Sequence, residues 1–240
     1  MIMSALSDDF NYGNPEVFYR QFYAKVICGS GSVGRLGKRA VASTHRYMER
    51  RFSVSHFSRV LELGGGNGEH IDYVRHGFDS YTLIDLRQAE LKDSHRQNPC
   101  ITSIVADAEC LPIDNHSIDR VIVTCLLHHV NDPESVLQEI DRVLKIDGTA
   151  TIFLSCDPGF AVRVLRKLTL ERTARSLGFE GYGLMIAREH RNHVGSLLLL
   201  IRHVFRHRQI QENWMPFRVP SWNLNGYLVV TISKGKNLLD

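Results

Sequence analysis

The run Val60-Leu61-Glu62-Leu63-Gly64-Gly65-Gly66-Asn67-Gly68 constrains this chain more than any other, because a short apolar strand passes through an acid straight into a turn rich in glycine. A strand-to-helix turn that lets a ligand touch its backbone cannot carry Cβ atoms at the contact points. Gly64, Gly66 and Gly68 are therefore predicted to serve close approach and positive φ. The spacing also discriminates between ligands. A dinucleotide turn reads G-x-G-x-x-G and would place a third glycine at position 69, which is Glu69. What stands here is E-x-G-x-G-x-G, with the acid inside the strand end.

Two further acids follow at regular intervals. Asp85 closes the apolar run Tyr81-Thr82-Leu83-Ile84, 23 residues after Glu62, and Asp107 closes Ile101 to Ala106 another 22 residues on. Such an interval fits one strand, one helix and two short loops, so the acids are expected at the carboxyl ends of successive parallel strands. Open α/β sheets bind their ligands in the crevice outside those ends. Each acid alone reads as a surface carboxylate; in register with a glycine turn they read as one site. A carboxylate after the second strand has the two ionised oxygens needed to accept from both hydroxyls of a ribose.

The motif E-x-G-x-G-x-G with Asp85 and Asp107 resembles the cofactor site of the class I S-adenosylmethionine-dependent methyltransferases. The resemblance continues through Asp119 to Val130, Asn131-Asp132-Pro133 and Leu144 to Gly148, which look like the fourth strand, a helix and the approach to the fifth strand of the small-molecule and lipid methyltransferases of the "type 11" group. Asp132 can cap a helix that begins at Pro133, and Val136, Leu137, Ile140, Val143 and Leu144 share one helical face, with Gly148 ending the helix before a strand from Thr149 to Ser155. Isoleucine and aspartate at 146 and 147 stand where the group usually has proline and glycine, which alters a turn only. The resemblance implies an α/β, Rossmann-like, seven-stranded class I methyltransferase sheet with helices on both faces and an antiparallel closing hairpin. It implies S-adenosyl-L-methionine as cofactor, held by Glu62, Gly64, Gly66, Gly68, Asp85, Asp107, Ala108 and Thr124, with Asp107-Ala108 at the adenine amino group.

The expected organisation is an N-terminal helical cap over 1–58, a cofactor-binding core over 59–156, and a lid or substrate segment with the hairpin over 157–240. Phe10, Tyr12, Phe18, Tyr19, Phe22 and Tyr23 belong either to the core or to a cover over the cleft, and Gly29 to Gly37 reads as a hinge or loop. A helix is expected over about 192 to 206, and strands near Gln209 to Met215 and Tyr227 to Ser233. A chain of 240 residues can bury roughly 70 to 75% of its unfolded surface, so it needs no staples. Five cysteines without CxxC spacing, and acids at Asp8, Asp9 and Glu16 in place of a secretory signal, predict reduced thiols in a cytoplasmic protein. Cys125 and Cys156 read as small hydrophobes at the ends of adjacent strands.

The net charge of +3 conceals an asymmetry: residues 157 to 240 hold 13 Lys and Arg against 6 Asp and Glu. Arg163, Arg166, Lys167, Arg172 and Arg175 share a segment with Val164, Leu165 and Leu168, which suits an anionic membrane surface, a phosphorylated substrate or a solvated helix face. Nucleic acid is disfavoured because the patch lacks interleaved aromatics.

For chemistry, the general base for a hydroxyl acceptor is expected at His128 or His129, just past the fourth strand, with His190 of the Glu189-His190-Arg191-Asn192-His193 cluster in reserve. The turn Thr124-Cys125-Leu126-Leu127 lacks the Asn/Asp-Pro-Pro-Tyr/Phe of amino-methyltransferases acting on adenine or glutamine, and lacks the carboxylate of a magnesium-dependent catechol type; no metal site is assigned. The reading is methyl transfer to a small-molecule, sugar or lipid-linked acceptor at oxygen. Its alternatives are an N-methyltransferase for an amine headgroup or RNA base, and a silent binding protein on the same fold.

Overall fold

The computed structural model describes residues 32–88, 91–176 and 181–235. Its centre is a seven-stranded sheet in the order β3-β2-β1-β4-β5-β7-β6. The strands are β1 (His56–Leu63), β2 (Gly77–Asp85), β3 (Ile101–Val105), β4 (Ile118–Val123), β5 (Leu144–Ser155), β6 (Gln209–Met215) and β7 (Tyr227–Ser233). The first five run parallel, and β7 is antiparallel to both β5 and β6. Strand order turns back at β1 and β4, which opens the crevice at their carboxyl ends, where a doubly wound sheet takes its ligand.

The central strands are buried on both faces, so they read as continuous apolar runs rather than alternating ones. On one face Leu61, Leu63, Val121 and Val123 meet Val136, Leu137 and Ile140 of α3 (Pro133–Val143) and Leu197 and Ile201 of α7 (Val194–Val204). On the other, Val60, Tyr81, Leu83 and Ile122 meet Met48 of α1 (Ser32–Glu49) together with Ile71 and Leu91. Helix α3 begins as its sequence demands. The Asp132 carboxylate accepts from the amides of Glu134 (3.1 Å) and Ser135 (3.2 Å), and Pro133 takes the position whose N–H would have no partner.

Helix α1 is fastened to the sheet by a buried charge cluster. Glu49 accepts from both terminal nitrogens of Arg120 in β4, at 2.5 and 3.2 Å, and His70 Nε2 lies 2.9 Å from the same carboxylate. His45 Nδ1 meets His70 Nδ1 at 2.7 Å, and the Arg120 guanidinium lies 3.9 Å from the centroid of Phe52. Burial opposes ionisation of Glu49, but the His70 hydrogen bond and the Arg120 charge outweigh it and hold its carboxyl below the usual range.

Three expectations differ from the structure. The link from β1 to β2 holds only a single tight turn of helix, Ile71–Tyr73, and among the described residues that from β2 to β3 holds only the four-residue α2 (Asp93–Arg96), so much of the interval of 22 to 23 residues is filled by longer strands and turns. Gly148 does not end α3: the helix stops at Val143, Leu144 pairs with Ile118, and residues 145–148 bulge out before Thr149 resumes pairing with Arg120. An added Cβ at Gly148 would lie 2.8 Å from Leu144 and 3.0 Å from the Ile118 carbonyl, which is why the bulge closes on glycine. Gly34 and Gly37, expected in a hinge, lie within α1. Gly29, the aromatics from Phe10 to Tyr23 and the rest of 1–31 lie outside the described residues. Strand β1 itself starts at His56.

Candidate active site

The glycines of the turn do not all meet the same constraint. Gly64, Gly66 and Gly68 all have positive φ (69°, 52° and 74°). A Cβ at Gly64 would press on the Leu126 side chain at 3.0 Å and one at Gly68 on Leu91 at 2.8 Å, so these two glycines are needed for packing within the protein. Gly66 alone of the three faces open space, with nothing within 4 Å of its added Cβ, and is the point where a ligand can meet the backbone. Alanine at Gly68 combines positive φ with that clash and is expected to destabilise the fold by about 1–3 kcal/mol, read as a shifted urea midpoint at constant slope.

The acids divide by depth. Asp85 ends β2 with its two oxygens accepting from the amides of Gly66 (3.1 Å) and Arg87 (3.0 Å), which fixes the carboxylate beside the open glycine and leaves lone pairs for further donors. Asp107 is exposed just past β3, accepting from the Glu109 amide at 2.9 Å, and Ala108 beside it is buried. Leu86, 67% exposed directly after Asp85, gives this end of the sheet an apolar side chain without cover, a feature the sequence reading did not single out. Glu62 is different. It lies fully buried beneath the turn, accepting from Tyr81 Oη (2.7 Å) and Thr124 Oγ1 (3.3 Å), so both it and Thr124 brace the loop from below. Burial raises the Glu62 carboxyl, partly offset by the His70 charge and by those two hydroxyls.

The histidines also separate. His128 is completely buried: its Nδ1–H donates to the Asn192 carbonyl (2.8 Å) and its Nε2 accepts from the Ser155 amide (2.9 Å). With both nitrogens taken it cannot receive a substrate proton, which corrects its expected place as a base. His129 is partly exposed near Glu189, 3.7 Å away. Burial above all lowers both rings to about 4, with the charge of His190 adding to the effect. Both are therefore neutral and weakly basic near pH 7. The sign for stability follows: an unfolded imidazole titrates near 6.5, so between there and about 4 the unfolded chain binds more protons. Stability is expected to hold above pH 6.5, to fall as the pH drops from there to about 4, and to level off below that as far as these two groups are concerned. For His128 the full effect is on the order of 3 kcal/mol, and denaturant midpoints measured across that range test it.

His190 stands apart because of Asp157, which the sequence reading overlooked. Asp157, just past β5, holds Arg166 through two bonds of 2.6 Å, accepts from Ser155 Oγ (2.9 Å) and contacts His190 Nδ1 at 2.9 Å. Burial works against its ionisation, yet the hydrogen bonds from His190 and Arg166 and the Arg166 charge hold its carboxyl far below the usual range. A carboxylate only accepts, so Nδ1 of His190 carries a proton, and Nε2 is the atom left to exchange one. No hydrogen bond from the described residues occupies that nitrogen. The segment is pinned from the far side, since the amides of Arg191 and Asn192 donate to the His128 carbonyl (3.0 and 3.3 Å) and Asn192 Nδ2 donates to the carbonyls of Leu127 and Val130 (2.9 Å each). Cys125, expected to be buried, is exposed with a left-handed φ of 53° at the end of β4; Cys156 is buried as expected.

Comparison with known proteins agrees with this architecture. A family model described as "Methyltransferase domain" matches residues 61–152. The chain is 34% identical over 103 residues to the demethylmenaquinone methyltransferase of Renibacterium salmoninarum, covering 42% of this chain and 43% of that protein. It is 32% identical over 105 residues to the human mitochondrial arginine-hydroxylase NDUFAF5, covering 43% of this chain and 30% of that protein. It thus spans well under half the length of the curated relatives it matches. Among solved structures, a chain of the complex that contains the Haloferax volcanii Trm112 methyltransferase activator superposes with a TM-score of 0.60 at 16% identity, over 90% of this chain and 98% of that one, a likeness of fold. The matched stretch holds the end of β1, the glycine turn, Asp85, strands β2 to β4 and most of β5, so residues 61–152 are similar to a methyltransferase domain, and the sheet order agrees with that fold.

Proposed function

We propose that the protein transfers a methyl group from S-adenosylmethionine to an oxygen of a small-molecule or lipid-linked acceptor, with His190 taking the hydroxyl proton. The observation that carries this reading is the Asp157–His190 contact of 2.9 Å at the same end of the sheet as the glycine turn. The cofactor fits the residues present. Gly66 offers backbone with no obstruction, and Asp85 beside it offers oxygens suited to the ribose hydroxyls. Leu86 provides an apolar side chain and Asp107 an acceptor for the base. When bound, S-adenosylmethionine supplies a methyl group already made electrophilic by its sulfonium.

What remains for the protein is to position the acceptor and accept its proton. Positioning can contribute roughly 7 to 11 kcal/mol of the barrier. A hydroxyl needs a base as well, and the His190 ring, held through Nδ1 by Asp157, offers Nε2 for that role.

Calorimetry with S-adenosylhomocysteine tests the cofactor half of the reading. Asp85→Ala removes charge-assisted hydrogen bonds worth about 1.5 to 3 kcal/mol each, so affinity is expected to fall at least about tenfold. Equal affinity of wild type and variant would defeat the assignment.

A further inference from the structure

Residues 216–226, between β6 and β7, turn an apolar face to solvent although their backbone is closed on itself. Asn225, itself buried, donates from Nδ2 to the carbonyls of Val219 (2.8 Å) and Ser221 (2.9 Å) and accepts from the Phe217 amide (2.9 Å). That frame holds Phe217 (59% exposed), Val219, Trp222 (42% exposed) and Leu224 on the outside. Helix α4 (Phe160–Arg166) starts against the same loop. The Phe160 amide donates to Asn223 Oδ1 (3.1 Å) and the Ala161 amide to the Asn223 carbonyl (3.0 Å). Phe160 (65% exposed), Val164, Leu165 and Leu168 (60% exposed) are likewise uncovered along α4 and the turn of wider helix that follows it. Two segments joined by a bond between positions 63 residues apart thus bring their exposed apolar side chains to neighbouring parts of the surface.

Its charge is one-signed. Arg163, Lys167 and Arg218 stand exposed among these side chains, and none has an ion-pair partner among the described residues. Among the described residues, Asp157 is taken by Arg166 and Glu171 by Arg175. Soluble monomers rarely leave so much contiguous apolar surface uncovered. A second copy would bring cation against cation, whereas an anionic surface satisfies both the charge and the apolar side chains.

We propose that this face docks on an anionic lipid bilayer. Phe160, Leu165, Phe217 and Trp222 enter the headgroup boundary while Arg163, Lys167 and Arg218 meet lipid phosphates. The contact is peripheral, since no helix among the described residues is long and apolar enough to cross a membrane. The face adjoins the active end of the sheet: Ser155 pairs with Tyr227, and the Cys156 amide donates to the Gly226 carbonyl at 3.0 Å. An acceptor dissolved in the bilayer would therefore arrive on the side of Asp157 and His190. That last consequence rests on the function proposed above; the docking does not.

The full chain is to be sedimented with vesicles of phosphatidylcholine alone and of phosphatidylcholine mixed with phosphatidylglycerol, with tryptophan emission followed in parallel. The chain has two tryptophans, and Trp214 is buried, so Trp222 dominates any change. Binding to the mixed vesicles with a blue shift is expected, weakened at high salt. Arg163→Glu with Lys167→Glu should weaken it by more than about tenfold, at roughly fivefold per charge lost. Phe217→Ser should weaken it as well, while calorimetric affinity for S-adenosylhomocysteine stays at the wild-type value in all variants. Absence of sedimentation, equal binding to neutral vesicles, or indifference to these substitutions would overturn the proposal. So would a Trp222 already shielded from iodide quenching in the free protein, which would mean that residues 1–31 cover the face. A blue shift that depends on protein concentration without vesicles would likewise overturn it, in favour of a second copy.

Discussion

Replacing His190 by alanine should lower kcat by about 10² to 10⁴ fold and leave S-adenosylhomocysteine affinity nearly unchanged. The ring is the one histidine past the carboxyl ends of β4 and β5 with an oriented Nδ1–H and no described partner at Nε2, and its loss removes a proton acceptor without touching the glycine turn or Asp85. Asp157→Asn is expected to act through His190. A carboxamide keeps the shape but not the charge that fixes the imidazole tautomer, so kcat should fall while KM changes little. Because Asp157 also holds Arg166 through two hydrogen bonds, the variant must first be shown to melt near wild type. His129→Ala provides the contrast: its ring sits at about 4, and its removal should cost only a few fold. If all three variants turned over a hydroxyl acceptor like wild type, a base would play no part. The acceptor would then be one that is nucleophilic on its own.

The second large effect concerns stability. Glu49→Ala should destabilise the protein by about 3–5 kcal/mol, because it leaves the Arg120 guanidinium, fully enclosed in the sheet, without its carboxylate. Burial already pulls the Arg120 guanidinium down, and Glu49 is the first of the groups that offset it. Combining Glu49→Ala with Arg120→Met should restore much of the loss, since the cost lies in the orphaned charge and not in the missing contact. Urea titrations at neutral pH read both. A single-variant loss below about 1 kcal/mol would show that water or a rearranged side chain replaces Glu49.

The strands were legible in the sequence because burial on both faces writes itself as a nearly continuous apolar run, as in Val121 to Val123 and Leu228 to Val230, and because an Asp-Pro pair marks the start of α3 unambiguously. The positive φ of the three glycines was legible for the same local reason. What escaped was every pairing that joins distant positions. His128 and His129 are adjacent and look alike, yet one is saturated by groups 27 and 64 residues away. Asp157 gains its meaning from His190, 33 residues on, and Glu49 from Arg120, 71 residues on. The missing helix between β1 and β2 escaped because residue spacing counts chain length and does not say how that length is divided between strand and turn.

The Glu49–Arg120 pair carries a consequence for inheritance. Arg120 lies within the stretch 61–152 that related proteins share, whereas its carboxylate partner lies upstream of it. The unit that similarity recognises and the unit that folds are therefore different pieces of chain. A gene fragment copied at the boundaries of similarity would carry an arginine at the heart of its sheet with nothing to neutralise it. Substitution at position 120 in any descendant is then constrained by a residue outside the shared stretch, so the two sites should change together or not at all.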